Sequence, residues 1–492
     1  MGPTRREFLR IAGGALVVSG VASVGRRFEG LGSAEPAARF TQPEVLTSAN
    51  GRLDVELVVA PAKVPFGPGT RFAYTYNGTT PGPTLRVRPG DVLSITLENR
   101  LGETTNLHTH GLHVSPSGVA DNIFVSVPDH DRRTYTYEIP ADHRSGTFWY
   151  HPHRHGTVAR QVFGGLAGVI VVEDTIDAAP ELVGATERLL VLSDPVIGSS
   201  SAVLDVSMMQ EMQGREGDRV LVNGVAQPTI SVQAGTLEHW RVLNASSSRY
   251  YRLALKGHSL HMIGTDSGRL ATPVAVTDVL LAPGERVELL AAPSKAGSYA
   301  LRSLPYDRGG MGMGSSSGSS RRTTLARVVV NGDAPAAGMP PSLAAPTSLA
   351  LPDATSRREL VLAMGMGGSM GDGNSGTSNR AQGMGRTFTI DGESFDASRT
   401  DIVTALGRVE DWTLTNTSPM DHPFHLHVWP FQIVARSDGK AITPGWKDTV
   451  NVPAGGSVTV RIPLTEISGR TVYHCHILDH EDLGMMGIID VR

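Results

Sequence analysis

Cysteine is nearly absent: one residue among 492, Cys475, so no disulfide can form within the chain. A large excess of charge of one sign is absent as well. Lys and Arg number 44 against 48 Asp and Glu, a net charge of −4, which argues against nucleic acid or another polyanion as partner. With 40% hydrophobic and 19% charged residues the chain is not of disordered composition either. Long apolar runs are also missing. The uncharged stretch from Ile11 to about Val24 has about 14 residues where about 20 are needed to cross a bilayer, so no stable membrane span is expected. What is abundant is turn-forming and histidine residues. The 56 Gly and 31 Pro favour short strands joined by many turns, and 17 His in a near-neutral chain invite a metal. At roughly 150 residues per domain, the length predicts about three domains.

The N-terminal run Thr4-Arg5-Arg6-Glu7-Phe8-Leu9-Arg10, followed by the short apolar stretch, resembles the twin-arginine export signal of bacteria. Residues 1–40 therefore read as signal peptide and leader, with small residues near Ser33-Ala34 as the cleavage region. The resemblance implies the twin-arginine machinery as a transient partner and a periplasmic or other extracytoplasmic location. That route carries proteins already folded around their cofactors.

A weak repeat organises the rest. Asn77-Gly78, Asn223-Gly224 and Asp391-Gly392 each open a unit in which a short strand, a glycine turn and an alternating strand lead to Asn99, Asn244 and Asn416. The reading is all-β: three related Greek-key β-sandwich domains at 45–175, 185–332 and 357–492, with an Ala/Pro/Ser-rich linker at 333–356. The Gly/Ser/Met-rich stretches 309–320 and 365–385 are inserts.

Ten of the 17 His fall in four clusters: His108 and His110; His151 and His153; His422, His425 and His427; His474, His476 and His480. Alternate residues of a strand share a face, so each His-x-His pair can present two imidazoles to one metal or to two adjacent ones. In the last pair the intervening residue is Cys475, which must face the other way. With His422, His480 and Met485 it makes two imidazoles, a thiolate and a thioether, the donor set of a blue-copper site.

On these motifs the chain resembles the three-domain multicopper oxidases of the laccase type, over essentially the whole mature sequence. The resemblance implies three cupredoxin-like domains and four copper ions. His422, Cys475 and His480, with Met485 axial, would hold the type 1 copper. His108 and His425 would hold the type 2 copper, and His110, His151, His153, His427, His474 and His476 the type 3 pair. The first and last domains must then meet, with the middle domain as a spacer; its His239, His258 and His261 lack His-x-His spacing. It also implies an enzyme in which a substrate gives up electrons singly at the type 1 copper, Cys475 conducts them, and dioxygen is reduced to water.

Proton delivery to dioxygen needs an acid, and Glu481, directly after His480, is the first candidate. Asp121 is the second, although the loop 114–121 departs in length from the family pattern. His155 is read as a partner of the second pair; His113, His130 and His143 are read as solvated. Nine of the 15 Met lie outside the core pattern: Met208, Met209, Met212, Met311, Met313, Met364, Met366, Met370 and Met384. Soft thioethers suit Cu(I), so the expected substrate is a phenol or Cu(I), with copper homeostasis as one role. The sequence is expected to act as a monomer. The alternative is an exported copper-binding or structural protein of the same fold without turnover.

Overall fold

The computed structural model describes residues 38–66, 69–173, 182–195, 206–310, 320–343, 347–367 and 385–492. The twin-arginine motif with its apolar run, Met311, Met313, Met370, Met384 and the side chain of Met366 lie outside the described residues. Among the described residues, thirty-one strands and three short helices follow one another. The helices are α1 (Val158–Phe163), α2 (Met208–Gln213) and α3 (Leu478–Asp482). None of the described helices is long and apolar enough to cross a membrane.

The strands form six sheets, which pair face to face. Four- and five-stranded sheets enclose a first core around Leu57, Tyr76, Leu97, Tyr135 and Ile170. Seven- and five-stranded sheets enclose a second around Trp240, Val242, Leu253 and Val328. Two five-stranded sheets enclose the third, around Trp412, Phe424, Val460 and Cys475. The architecture is the expected all-β one, with three sandwiches in sequence.

The repeat seen in the sequence is carried by backbone geometry. In all three copies both turn residues have positive φ: 53° and 79° at Asn77-Gly78, 51° and 76° at Asn223-Gly224, 56° and 80° at Asp391-Gly392. Two successive left-handed residues match the twist of a hairpin, and Asn, Asp and Gly tolerate them best. Each polar side chain also accepts the backbone N–H of a neighbouring strand, from Val58, Val191 and Val361 at 2.7, 2.8 and 2.7 Å. The far end of each repeat is equally alike. The amides of Asn99, Asn244 and Asn416 each donate to two backbone carbonyls, and each Oδ1 accepts the N–H two residues on.

Two strand pairs position the histidines. His108–His110 runs antiparallel to Gly146–His151, with His108 opposite His151, and His422–Leu426 runs antiparallel to Gly469–Cys475, with His425 opposite His474. The strand rule explains only the first pair completely. In the other three the strand ends inside the His-x-His, after His151, Leu426 and Cys475, and the second imidazole of each stands on the following loop.

Candidate metal centres

The first and last sandwiches meet through their imidazoles. His108 stacks on His427 with ring centroids 3.9 Å apart, and His110 stacks on His425 at 3.7 Å. Eight fully buried histidines gather there in sets whose nitrogens lie within 4.8 Å of one another: His110, His151 and His476; His153, His427 and His474; and His108, His110 and His425. Nε2 of His474 lies 3.2 Å from Nε2 of both His153 and His427.

Hydrogen bonds fix which nitrogen of each ring is free. His108 Nδ1 lies 2.9 Å from Asp121, and His110 Nε2 lies 2.9 Å from Asp448 Oδ1. His151 Nδ1 donates to the Pro152 carbonyl, His425 Nδ1 to the Asp448 carbonyl and His474 Nδ1 to the Cys475 carbonyl, at 2.8 to 3.0 Å. The opposite nitrogens His108 Nε2, His110 Nδ1, His151 Nε2 and His425 Nε2 are buried without any partner, as are both nitrogens of His476. A buried nitrogen left bare costs free energy unless something satisfies it, and anchoring one nitrogen to present the other is how proteins hold metal-binding imidazoles. Burial, followed by mutual repulsion among the rings, depresses the basicity of His108, His110, His151, His427, His474 and His476 far below the usual histidine value. The rings are therefore neutral, the form a cation needs. The donor set fits copper.

A second centre lies in the last sandwich. Sγ of the buried Cys475 is 3.4 Å from His422 Nδ1 and 3.8 Å from His480 Nδ1, and the two nitrogens are 3.3 Å apart. The far nitrogens are again anchored. His422 Nε2 bonds Ser418 Oγ at 2.7 Å, and Ser418 sits on the turn organised by the repeat residue Asn416. His480 Nε2 donates to the Met212 carbonyl at 3.0 Å. Met485 is fully buried in the same apolar cluster as Cys475, and Phe388 stacks on His480 at 4.5 Å. Burial raises the Cys475 thiol above its ordinary value, so a thiolate there requires a cation beside it.

Both candidate acids touch the histidines. Asp121, buried, also accepts the Thr109 N–H at 2.8 Å, and burial pushes its carboxyl up to about 7 against the pull of those Thr109 bonds. Glu481 is buried with Oε2 3.1 Å from His474 Nδ1 and Oε1 3.5 Å from His153 Nδ1. Burial and the neighbouring Asp482 raise its carboxyl well above the carboxylate range. Asp482 itself accepts the N–H groups of Gly156, Val158 and Ala159, so α3 satisfies the free donors at the start of α1.

Three of the other histidine expectations are corrected. His113 and His143 are buried rather than solvated: His113 Nδ1 donates to the Val428 carbonyl at 2.9 Å, and the His113 N–H donates to His143 Nε2 at 2.9 Å. They lie where the first and last sandwiches close on each other, which local sequence does not reveal. His155 makes no contact with the second pair's rings; the turn after His153 carries it away, and its ring lies against Phe395 at 4.7 Å. His130 is exposed, as expected.

Several residues that matter here carry no local signal. Arg286, from the middle sandwich, uses every N–H of its guanidinium: Thr147 O in the first sandwich, Gly284 O and Asp266 O in its own, and both Asp448 oxygens in the last. Arg215 pairs with Asp479 of α3 through Nε and Nη2, and with Met212 it ties the segment after α2 to the Cys475 centre. The middle sandwich thus does more than set a distance. Only pairing across the assembled fold could identify these residues.

Three family models described as multicopper oxidase match residues 59–177, 198–332 and 372–492. The multicopper oxidase mco of Staphylococcus aureus is 28% identical over 475 residues, spanning 94% of this chain and 94% of the relative. The cell division protein FtsP of Dickeya dadantii is 30% identical over 509 residues, spanning 98% of each. Among solved structures, a multicopper oxidase from Campylobacter jejuni described as a metallo-oxidase aligns with a TM-score of 0.79 and 30% identity, over 93% of this chain and 96% of that one.

Proposed function

Since the chain belongs to the multicopper oxidase family, we propose that it oxidises a phenolic substrate or Cu(I) and reduces dioxygen to water. His422, Cys475, His480 and Met485 would hold a type 1 copper; His108 and His425 a type 2 copper; and His110, His151, His153, His427, His474 and His476 the type 3 pair. When bound, the four coppers supply the redox chemistry, taking electrons one at a time and passing four to dioxygen. The observation that carries this reading is the pattern of buried nitrogens, one anchored and one bare on ring after ring.

The chain's own residues supply orientation, access and protons. Cys475 faces one centre while His474 and His476, its covalent neighbours, face the other, so a continuous covalent path between the centres runs through one thiol and its adjoining backbone. Glu481 holds a proton at its carboxyl beside His474 Nδ1 and His153 Nδ1 and can release it toward the cluster. Asp121 orients His108 and titrates closer to neutrality. Burial of the rings excludes bulk water.

Two features bear on the substrate. Met208 and Met209 are exposed on α2, the helix whose last turn provides the carbonyl bonded to His480. Thioethers at that position suit Cu(I). Arg5-Arg6 and the short apolar run support export by the twin-arginine route to an extracytoplasmic location. A second reading, a non-catalytic exported protein, is favoured by the full-length similarity to a cell division protein.

Copper-loaded protein tests both. Oxidase function predicts absorption near about 600 nm from Cys-to-copper charge transfer, and oxygen uptake with Cu(I), Fe(II) or a simple phenol, with both lost in Cys475→Ser. The absence of uptake with all three reductants would establish the non-catalytic reading.

A further inference from the structure

Beside the Cys475 centre lies a fixed positive charge that binds none of its ligands. Arg308 is 2% exposed. Its Nη2 donates to the Gln213 carbonyl at 2.6 Å and faces Glu216 Oε1 at 3.1 Å, while Nε and Nη1 have no partner. Its backbone carbonyl accepts the Asp421 N–H at 2.7 Å. Asp421 directly precedes His422, and Gln213 directly follows Met212, whose carbonyl takes the His480 proton. Arg308 therefore ties together the segment that carries one imidazole and the segment that anchors the other.

We propose that Arg308 raises the reduction potential of the type 1 site by holding a buried, only partly compensated positive charge beside it. The inference rests on the reading of His422, Cys475 and His480 as the copper ligands. In the step concerned, one electron passes from the substrate to the oxidised site; no bond or proton is exchanged, and the site's charge falls by one. A nearby cation favours the state of lower positive charge, and in a buried setting neither water nor salt screens it well. Three N–H bonds of the guanidinium are unpartnered, and Glu216, which Arg308 shares with Arg249, is the carboxylate that partly offsets its charge.

The test is a spectroelectrochemical titration of the band near 600 nm in copper-loaded wild type, Arg308→Met, Arg308→Lys and Glu216→Gln. Arg308→Met is expected to lower the midpoint, Arg308→Lys to return it toward wild type, and Glu216→Gln to raise it. Opposite shifts from the two charge removals cannot come from a loosened site, which would move both the same way. An unchanged or raised midpoint in Arg308→Met with the band intact, or shifts of the same sign in both, overturns the proposal. If Arg308→Met does not fold, Arg308→Gln takes its place: a lowered midpoint supports the proposal, and no change or a rise overturns it. A wild type without the band overturns the copper assignment itself, which separates that failure from this one.

Discussion

Asp448 accepts a 2.9 Å hydrogen bond from Nε2 of His110, 338 positions away in the chain. The same carboxylate is paired with Arg286, which, against the penalty of burial, holds it well below its usual range. Asp448→Asn keeps an acceptor for His110 but leaves the buried guanidinium only the more distant Asp266, at 3.8 Å, as counter-charge. The apoprotein is expected to lose about 3–5 kcal/mol, and copper affinity to fall by about 10–100-fold. Urea unfolding of the apoprotein and copper titration measure the two; wild-type values in both would contradict the role.

Gly284 presses against His476. A Cβ built there would lie 2.9 Å from His476 Cδ2 and Nε2, and φ is 85°, a conformation that favours glycine. Gly284→Ala should displace the ring and cost about 1–3 kcal/mol. Copper content per chain should drop while the band near 600 nm persists, because Cys475, His422 and His480 are untouched. Metal analysis alongside the visible spectrum checks the pair.

Glu481→Gln removes the buried proton store without removing a metal ligand. Copper content and the visible band should match wild type, whereas oxygen-dependent turnover should fall on the order of 10²-fold or more. Anaerobic reduction of the Cys475 centre by substrate should keep its rate. A variant with full oxygen uptake would exclude Glu481 from proton delivery.

Stability at low pH should depend on Glu288. Burial pushes its carboxyl up, but Arg241, and then His239, outweigh it and hold the group well below the usual range. A depressed folded-state value means stability that is fully present above the unfolded value of about 4.3 and lost as pH falls toward the folded one. Glu288→Gln should therefore flatten the decline of stability below about pH 4.3, while lowering stability at neutral pH by up to about 3 kcal/mol. Urea unfolding of the apoproteins across this range decides; parallel curves would count against the assignment.

The two ends of the insert read at 365–385 lie in strands Ser356–Gly367 and Gly385–Ile390, and Gly367 and Gly385 are paired across the hairpin. Replacing residues 368–384 by a two-residue turn keeps that register. If the insert supplies Cu(I) and shields the centre from bulky phenols, cuprous oxidation falls and phenol oxidation rises. Unchanged rates for both substrates would leave it without a gating or copper-binding role.

Much of this was legible in the sequence because the signals are local. Asn77-Gly78, Asn223-Gly224 and Asp391-Gly392 demand the same left-handed turn wherever they stand, since φ/ψ preference is a property of the residue and its neighbour. The His-x-His and His-Cys-His spacings name the donor atoms, because ligand chemistry resides in the side chain. The explanation by strand alternation held for His108 and His110 only. At His153, His427 and His476 it is a loop past the strand end that aims the ring.

The sequence by itself determined the repeat, the all-β class and the identity of the ten histidines, Cys475 and Met485 as candidate ligands. Tertiary structure alone decided which nitrogen of each ring is anchored and which is left bare, because the anchors Asp448, Asp121, Ser418 and the Met212 carbonyl come from other turns and other sandwiches. It also gave Arg286 and Arg308 their importance: a guanidinium's effect depends on burial and on which carboxylates face it, and neither is written in the residues beside it.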